Sequence, residues 1–157
     1  MGLIENIRSD RVRNLPLREA IRITADLPVS VAVQRMQSQE LGCAICVDDQ
    51  DRPLGVFTER SVIDLMLQPP VDWDTVPVGE HLESDWFRVC LDDPLSELIH
   101  AICERRARFL CVTDAAGHVV GLTGQKALSE YIADHFPQLV MAQSVGSKPG
   151  TETREGA

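Results

Sequence analysis

The sequence predicts an α+β fold: two β-α-β-β-α repeats packed as a pseudo-twofold pair, each a small, mostly three-stranded sheet with two helices on one face. Three observations carry this. Ile21 to Leu67 lies over Phe87 to Ala133 at a constant shift of 66 residues, without a gap across 47 positions. In both copies an Asp and a Pro precede apolar residues at helical spacing. Both then show two short apolar runs around a polar turn. Six of the aligned pairs are identical (Arg22/Arg88, Asp26/Asp92, Pro28/Pro94, Ser30/Ser96, Asp48/Asp114 and Gly55/Gly121), so agreement of residue roles is the stronger evidence. A repeat of roughly 50 residues has too little core to stand comfortably alone, which is why the copies are expected to pack on each other.

The elements follow in chain order. Residues 1–14 form a lead-in. A leader, Leu15 to Ile21, resembles Val76 to Leu82 at a shift of 61, with Glu83 to Phe87 as five extra residues. Each copy opens with a β-leaning stretch, Ile21 to Thr24 or Phe87 to Cys90. Asp26 and Asp92 then read as carboxylate caps, and Pro28 and Pro94 as first-turn residues, of a helix. Its apolar stripe is Val29, Ala32, Val33 and Met36 in the first copy and Leu95, Leu98, Ile99 and Ile102 in the second. Gly42 suits a left-handed helix cap, whereas its partner Arg108 does not. A hairpin comes next, Cys43 to Val47 with Pro53 to Phe57, and Phe109 to Thr113 with His118 to Thr123. The second helices place Val62, Leu65 and Met66, or Leu128, Tyr131 and Ile132, on the core. The chain therefore divides into repeat 1 (15–67), a Pro-rich linker (68–75), repeat 2 (76–134) and a C-terminal extension (135–157) whose polar, Gly-containing end, Gln143 to Ala157, reads as disordered. Trp73 and Trp86 flank the linker and are expected to cover the core edge.

Composition narrows the function. In 157 residues, 44% are hydrophobic, 25% are charged and 4% are aromatic, so the core is built from aliphatic residues, Met and Cys. Fifteen basic against 24 acidic residues give a formal charge of −9, which repels phosphate backbones and anionic lipid and argues against a nucleic-acid polymer or a membrane as partner. No long apolar window and no secretion signal is visible, so a cytoplasmic location is expected. The five cysteines, Cys43, Cys46, Cys90, Cys103 and Cys111, are odd in number and sit in apolar runs, the pattern of reduced, buried thiols. Cys43 and Cys46 have C-x-x-C spacing, but three apart on a strand they face opposite sides. His100 and Cys103 lie one helical turn apart without a second C-x-x-C pair, so no metal is expected.

The run Cys43-Ala44-Ile45-Cys46-Val47-Asp48, followed by Gly55-Val56-Phe57-Thr58-Glu59-Arg60-Ser61-Val62-Ile63, resembles the CBS domain, and its repetition resembles the tandem arrangement called a Bateman module. The resemblance covers Leu15 to about Asp134. It implies adenosine-type ligands such as AMP, ADP, ATP or S-adenosylmethionine in the cleft between repeats, with no cofactor certain. Carried over residue by residue, the first site is Thr24, Ala25, Cys43, Ala44, Thr58, Glu59, Arg60 and Ser61. The second, weaker half-site is Cys90, Arg108, Phe109, Leu110, Gly124, Gln125, Lys126 and Ala127, with Leu91 beside it. The family's ribose-binding Asp is Ser61 in one copy and Ala127 in the other, and the family's Thr is Gly124 in the second, so the first site is the better one. A carboxylate accepts from two neighbouring hydroxyls, Ser makes one uncharged bond and Ala none.

Local cations favour an anion: Arg60 and Lys126 open the second helices, and Arg105, Arg106 and Arg108 precede the strand at Phe109. Each has an ordinary alternative as a solvated surface charge. Thr58 has one as a helix cap, with or without ligand. The leading expectation is a non-catalytic regulatory module that senses a nucleotide-like ligand and transmits it through a homodimer formed by its helices or through an unidentified protein partner. The alternative is a dimerisation or interaction module that has lost nucleotide binding. An enzymatic reading finds no G-x-S-x-G, P-loop or H-E-x-x-H to support it.

Overall fold

The computed structural model describes residues 2–138, so the expectation for Gln143 to Ala157 lies outside the described residues. The first sheet contains β1 (Arg22–Ile23), β2 (Cys43–Val47) and β3 (Pro53–Thr58); the second contains β4 (Phe87–Cys90), β5 (Phe109–Thr113) and β6 (Val119–Gly124). In each, the first strand runs parallel to the second and the second pairs antiparallel with the third. Five α-helices, α1 (Leu3–Ser9), α2 (Val29–Ser38), α3 (Glu59–Leu67), α4 (Leu95–Cys103) and α5 (Gln125–His135), and two short 3-10 helices, Val12–Asn14 and Val78–His81, complete the elements of the described residues. The predicted α+β class and its two three-stranded sheets are what the structure contains.

The repeat extends to irregular geometry. Left-handed backbone occurs at Glu40 and Arg106 and again at Asp51 and Gly117, pairs that are each 66 apart. The hairpin registers shift between Cys46 and Val47 and, correspondingly, between Val112 and Thr113. Two expectations change. The left-handed helix end is Glu40, not Gly42, and Leu41 N–H closes it by donating to Met36 C=O at 3.0 Å, as Ala107 N–H does to Ala101 C=O at 3.1 Å. Gly42 serves another purpose, since a Cβ there would lie 3.0 Å from the tip of the Phe109 ring.

Asp26 and Asp92 do not cap helices either; Asp26 is exposed, and Asp92 forms an ion pair with Arg13. The first N–H groups of α2, on Val29 and Ser30, donate to the backbone carbonyls of Val76 (3.0 Å) and Trp73 (2.9 Å). Leu95 N–H, opening α4, donates to Asp10 C=O at 3.0 Å. Backbone of the lead-in, the linker and the second leader thus satisfies what the side chains were expected to satisfy.

The same bonds correct the leader alignment. Val12 N–H donates to Asp93 C=O and Val78 N–H to Leu27 C=O; Arg13 N–H donates to Leu91 C=O and Gly79 N–H to Ala25 C=O. Every atom pair repeats at 66, so Val12 matches Val78 and the shift of 61 is superseded. Each leader also docks on the other half. Val12 and Leu15 bury themselves in the core of the second sheet, and Val78 in that of the first, both valines with no exposed surface. Gly55 and Gly121 permit this close approach: a Cβ would come within 2.8 Å of Leu82 at the first and 3.0 Å of Arg18 C=O at the second.

The apolar stripes of α2 and α4 face the cores as expected, and Trp73 and Trp86 pack against the first. On α3, Leu65 is buried and Val62 partly so, but Met66 is exposed together with Ile63 and Leu67. Cys43, Cys46 and Cys111 are fully buried, whereas Cys90 is half-buried and Cys103 exposed, because it falls at the solvent end of α4. Among the described residues, no helix is long and apolar enough to cross a membrane.

Candidate functional site

Leader exchange creates two cavities between the halves, sharing one wall made of Arg108 and Phe109. The first, of about 320 Å³, opens where β3 ends and α3 begins. Extended backbone at Thr58 turns into helix there, and its hydroxyl accepts from Arg60 N–H at 3.1 Å and Ser61 N–H at 3.4 Å. Ser61 returns the favour: its hydroxyl accepts from Thr58 N–H at 3.2 Å. Ser61 is 5% exposed and turned into this cap, away from the first cavity, and instead edges a separate polar cleft beside His81 and Asp64.

Across from Thr58, the second leader brings Glu83, Asp85, Trp86 and Phe87 to the cavity, and the α4–β5 connection brings Arg105, Arg106 and Arg108. Glu83 N–H donates to Val56 C=O at 2.8 Å, fixing the segment on β3, while the Thr58 hydroxyl donates to the Glu83 carboxylate. The guanidinium of Arg105 lies 5.0 Å from the Phe87 ring centre and that of Arg108 5.6 Å from the Phe109 ring centre, so aromatic faces steady these long side chains. Among the described residues, Arg60, Arg105, Arg106 and Arg108 form no ion pair.

The second cavity, of about 460 Å³, opens where β6 ends and α5 begins. Gly124 supplies no side-chain cap to α5, and a Cβ there would lie 2.4 Å from Arg108 C=O, which explains why Thr is absent. Arg18, from the first leader, stands near the place Glu83 occupies in the other cavity; its N–H donates to Leu122 C=O at 2.9 Å, as Glu83 N–H does to the matching Val56. Arg18, Arg108 and Lys126 face Glu130, and Lys126 lies 3.9 Å from it. The hydroxyl of Thr123, on the wall of this cavity, is buried without a hydrogen-bond partner.

The first-site residues therefore divide. Thr58, Glu59 and Arg60 line the first cavity; Thr24, Ala25, Cys43, Ala44 and Ser61 do not. Cys43 and Ala44 are sealed in the sheet, and Thr24 and Ala25 are exposed, with Ala25 C=O receiving Gly79 N–H. In the second set, Arg108, Phe109, Gly124, Gln125, Lys126 and Ala127 meet at one cavity, while Leu110 is fully buried and Cys90 lies outside the lining. Glu83, Asp85, Phe87, Arg18 and Thr123 were not identified from sequence. The match of Val12 to Val78 was the signal that could have brought the first four into view.

Burial pushes the Cys43 and Cys111 thiols up to about 12, with each of the two feeling further charges nearby. Both are consequently inert hydrophobes at neutral pH.

A protein-family model described as the CBS domain matches residues 12–68. That stretch is a CBS domain. Both halves carry the fold, and a solved structure of a CBS domain protein from Pyrobaculum aerophilum, complexed with AMP, superposes with a TM-score of 0.69 at 18% identity, covering 88% of this chain and 100% of that one. The CBS domain pair of MJ0100, in complex with 5′-methylthioadenosine and S-adenosyl-L-methionine, superposes at 0.68 with 14% identity, covering 80% and 98%. A 17.7 kDa uncharacterised protein of Acidianus ambivalens is 19% identical over 79% of this chain and 74% of its own.

Proposed function

We propose that this CBS pair is a non-catalytic regulatory module that binds an adenosine-type nucleotide, or a similar small anion, between its halves and transmits occupancy through dimer or partner contacts. One observation carries the reading: the first cavity joins Thr58 and Arg60 of one half to Arg105, Arg106, Arg108 and Phe109 of the other. A ligand there touches both halves at once, so its binding energy acts on their relative arrangement. Four guanidinium groups against Glu59, Glu83 and Asp85 leave the cavity locally cationic in a chain of charge −9. The adenosine-containing ligands of two structural relatives make that class the first to test.

Repeats 15–67 and 76–134, joined by 68–75, act as the two halves, each held by the other's leader. Ile63, Met66 and Leu67, which are 56%, 70% and 81% exposed on α3, form the apolar face for a homodimer. The cytoplasm is the compartment that suits unpaired cysteines and a nucleotide ligand.

Melting the protein with AMP, ADP, ATP or S-adenosylmethionine tests the reading, because a ligand at 100 times its Kd adds about 2.7 kcal/mol. At least one of the four should raise Tm at millimolar levels. No shift with any would favour the interaction module that has lost its ligand, for which Ala127 and the inward-turned Ser61 are the supporting observations.

A further inference from the structure

We infer that Glu83, delivered by the leader of the second half, is the hydroxyl-reading residue of the first cavity and selects a ligand that carries vicinal hydroxyls beside an anionic group. The inference rests on the function proposed above and adds which atom discriminates among ligands. Ser61 lies outside the lining of this cavity: the residue is 5% exposed and its hydroxyl is turned to Thr58 N–H. Thr58 cannot accept from a ligand: its oxygen takes two backbone N–H groups of α3 and its proton goes to Glu83. The half-buried Glu83 carboxylate retains its other oxygen and further lone pairs. It is also held from two sides, by the Thr58 hydroxyl and by its own N–H on Val56, so ligand binding need not first order it.

The remaining lining divides chemically. Arg105, Arg106 and Arg108 only donate and carry positive charge; Glu83 only accepts and carries negative charge; Phe109 offers a ring between the two cavities. A group with adjacent O–H donors therefore suits the Glu83 end, and a phosphate or carboxylate suits the arginine end. In the second cavity Arg18 stands near the equivalent place, so the same hydroxyls would meet a donor there. The two cavities consequently differ in ligand, and Glu83 marks which one reads the sugar.

The test is calorimetric titration of the full chain with AMP and with 2′,3′-dideoxyadenosine 5′-monophosphate. The unaltered protein should prefer AMP by about 10- to 100-fold, the worth of a charge-assisted hydrogen bond. Glu83→Gln, which still accepts from Thr58, should bring the ratio of the two affinities close to one, whatever the lost charge does to both ligands alike. Glu83→Asp keeps the charge but withdraws it by one methylene and should give an intermediate ratio, which also guards against a folding defect in the Gln variant. An unchanged ratio in Glu83→Gln overturns the inference and leaves the proposed function standing. Failure of both nucleotides to bind at millimolar concentration also overturns the inference, while the proposed function is decided separately by the melting series with all four ligands.

Discussion

Gly124 and Thr58 occupy matching positions in the two halves and show how one residue decides the character of each cavity. Thr58 was legible in the sequence because a Thr between a strand and a helix is an N-cap wherever it occurs. Its partner Glu83 was not, since the contact crosses from one half to the other's leader, 25 residues along the chain. Thr58→Ala should cost about 0.5–2 kcal/mol of stability by uncapping α3, and Thr58→Ser much less; equal melting temperatures for the two would contradict the capping role. At Gly124, even a methyl group meets Arg108 C=O, so Gly124→Ala should destabilise by about 1–3 kcal/mol through overpacking, and an unaltered denaturation midpoint would count against that geometry. The thiols offer a third test at this scale. Cys103 should react rapidly with an aromatic disulfide reagent in the native protein, while Cys43 and Cys111 should react only at the rate of unfolding; prompt release of more than two equivalents of the reagent's chromophore would mean the sheets open locally.

At the scale of elements, the helices and hairpins were legible because their signals are local: an i, i+3, i+4, i+7 stripe, or two apolar runs around Asp48 or Asp114. Helix starts were read near Pro28 and Pro94, but both prolines stand at the N-cap rather than in the first turn, and the capping carboxylates expected from Asp26 and Asp92 are not there. The orphan N–H groups go to carbonyls of distant segments, and nothing in a local window encodes those partners. Because the leader contacts are symmetric, Val12→Ala and Val78→Ala should cost about the same, on the order of 2 kcal/mol each; a cost confined to one would show that only one leader is needed. The N-terminal lead-in is tied down again where the Tyr131 hydroxyl of α5 donates to Asp10. Burial, then that hydrogen bond, raise the Tyr131 hydroxyl to about 12 from an ordinary 10. A raised acid is protonated in the folded state after its unfolded counterpart has ionised, so its contribution is complete below pH 10 and is lost as pH rises toward 12. Tyr131→Phe should therefore flatten the alkaline fall in stability over that window, and an identical pH profile would refute the assignment.

For the whole molecule, the exchange of leaders makes the two halves mutually dependent, so unfolding should be a single transition observed alike by fluorescence at Trp73 and Trp86 and by far-ultraviolet dichroism. The exposed stripe on α3 predicts assembly: light scattering should report a mass near twice 17.4 kDa, and Ile63→Glu with Leu67→Glu should return the monomer without lowering its stability. A 17.4 kDa species in the unaltered protein would leave that face without a second copy to cover it.

The sequence by itself determined the order of strands and helices within each copy and the cap at Thr58, which are written in residues a few positions apart, and the repeat with its period of 66, which shows because those local patterns recur. Only the tertiary structure decided which leader lies on which half. Val12 and Val78 present the same donor to the same kind of acceptor, so either docking satisfies the local pattern equally, and the difference appears only when both halves fold against each other. That choice carries Glu83 to one cavity and Arg18 to the other, and with them the chemistry of the site.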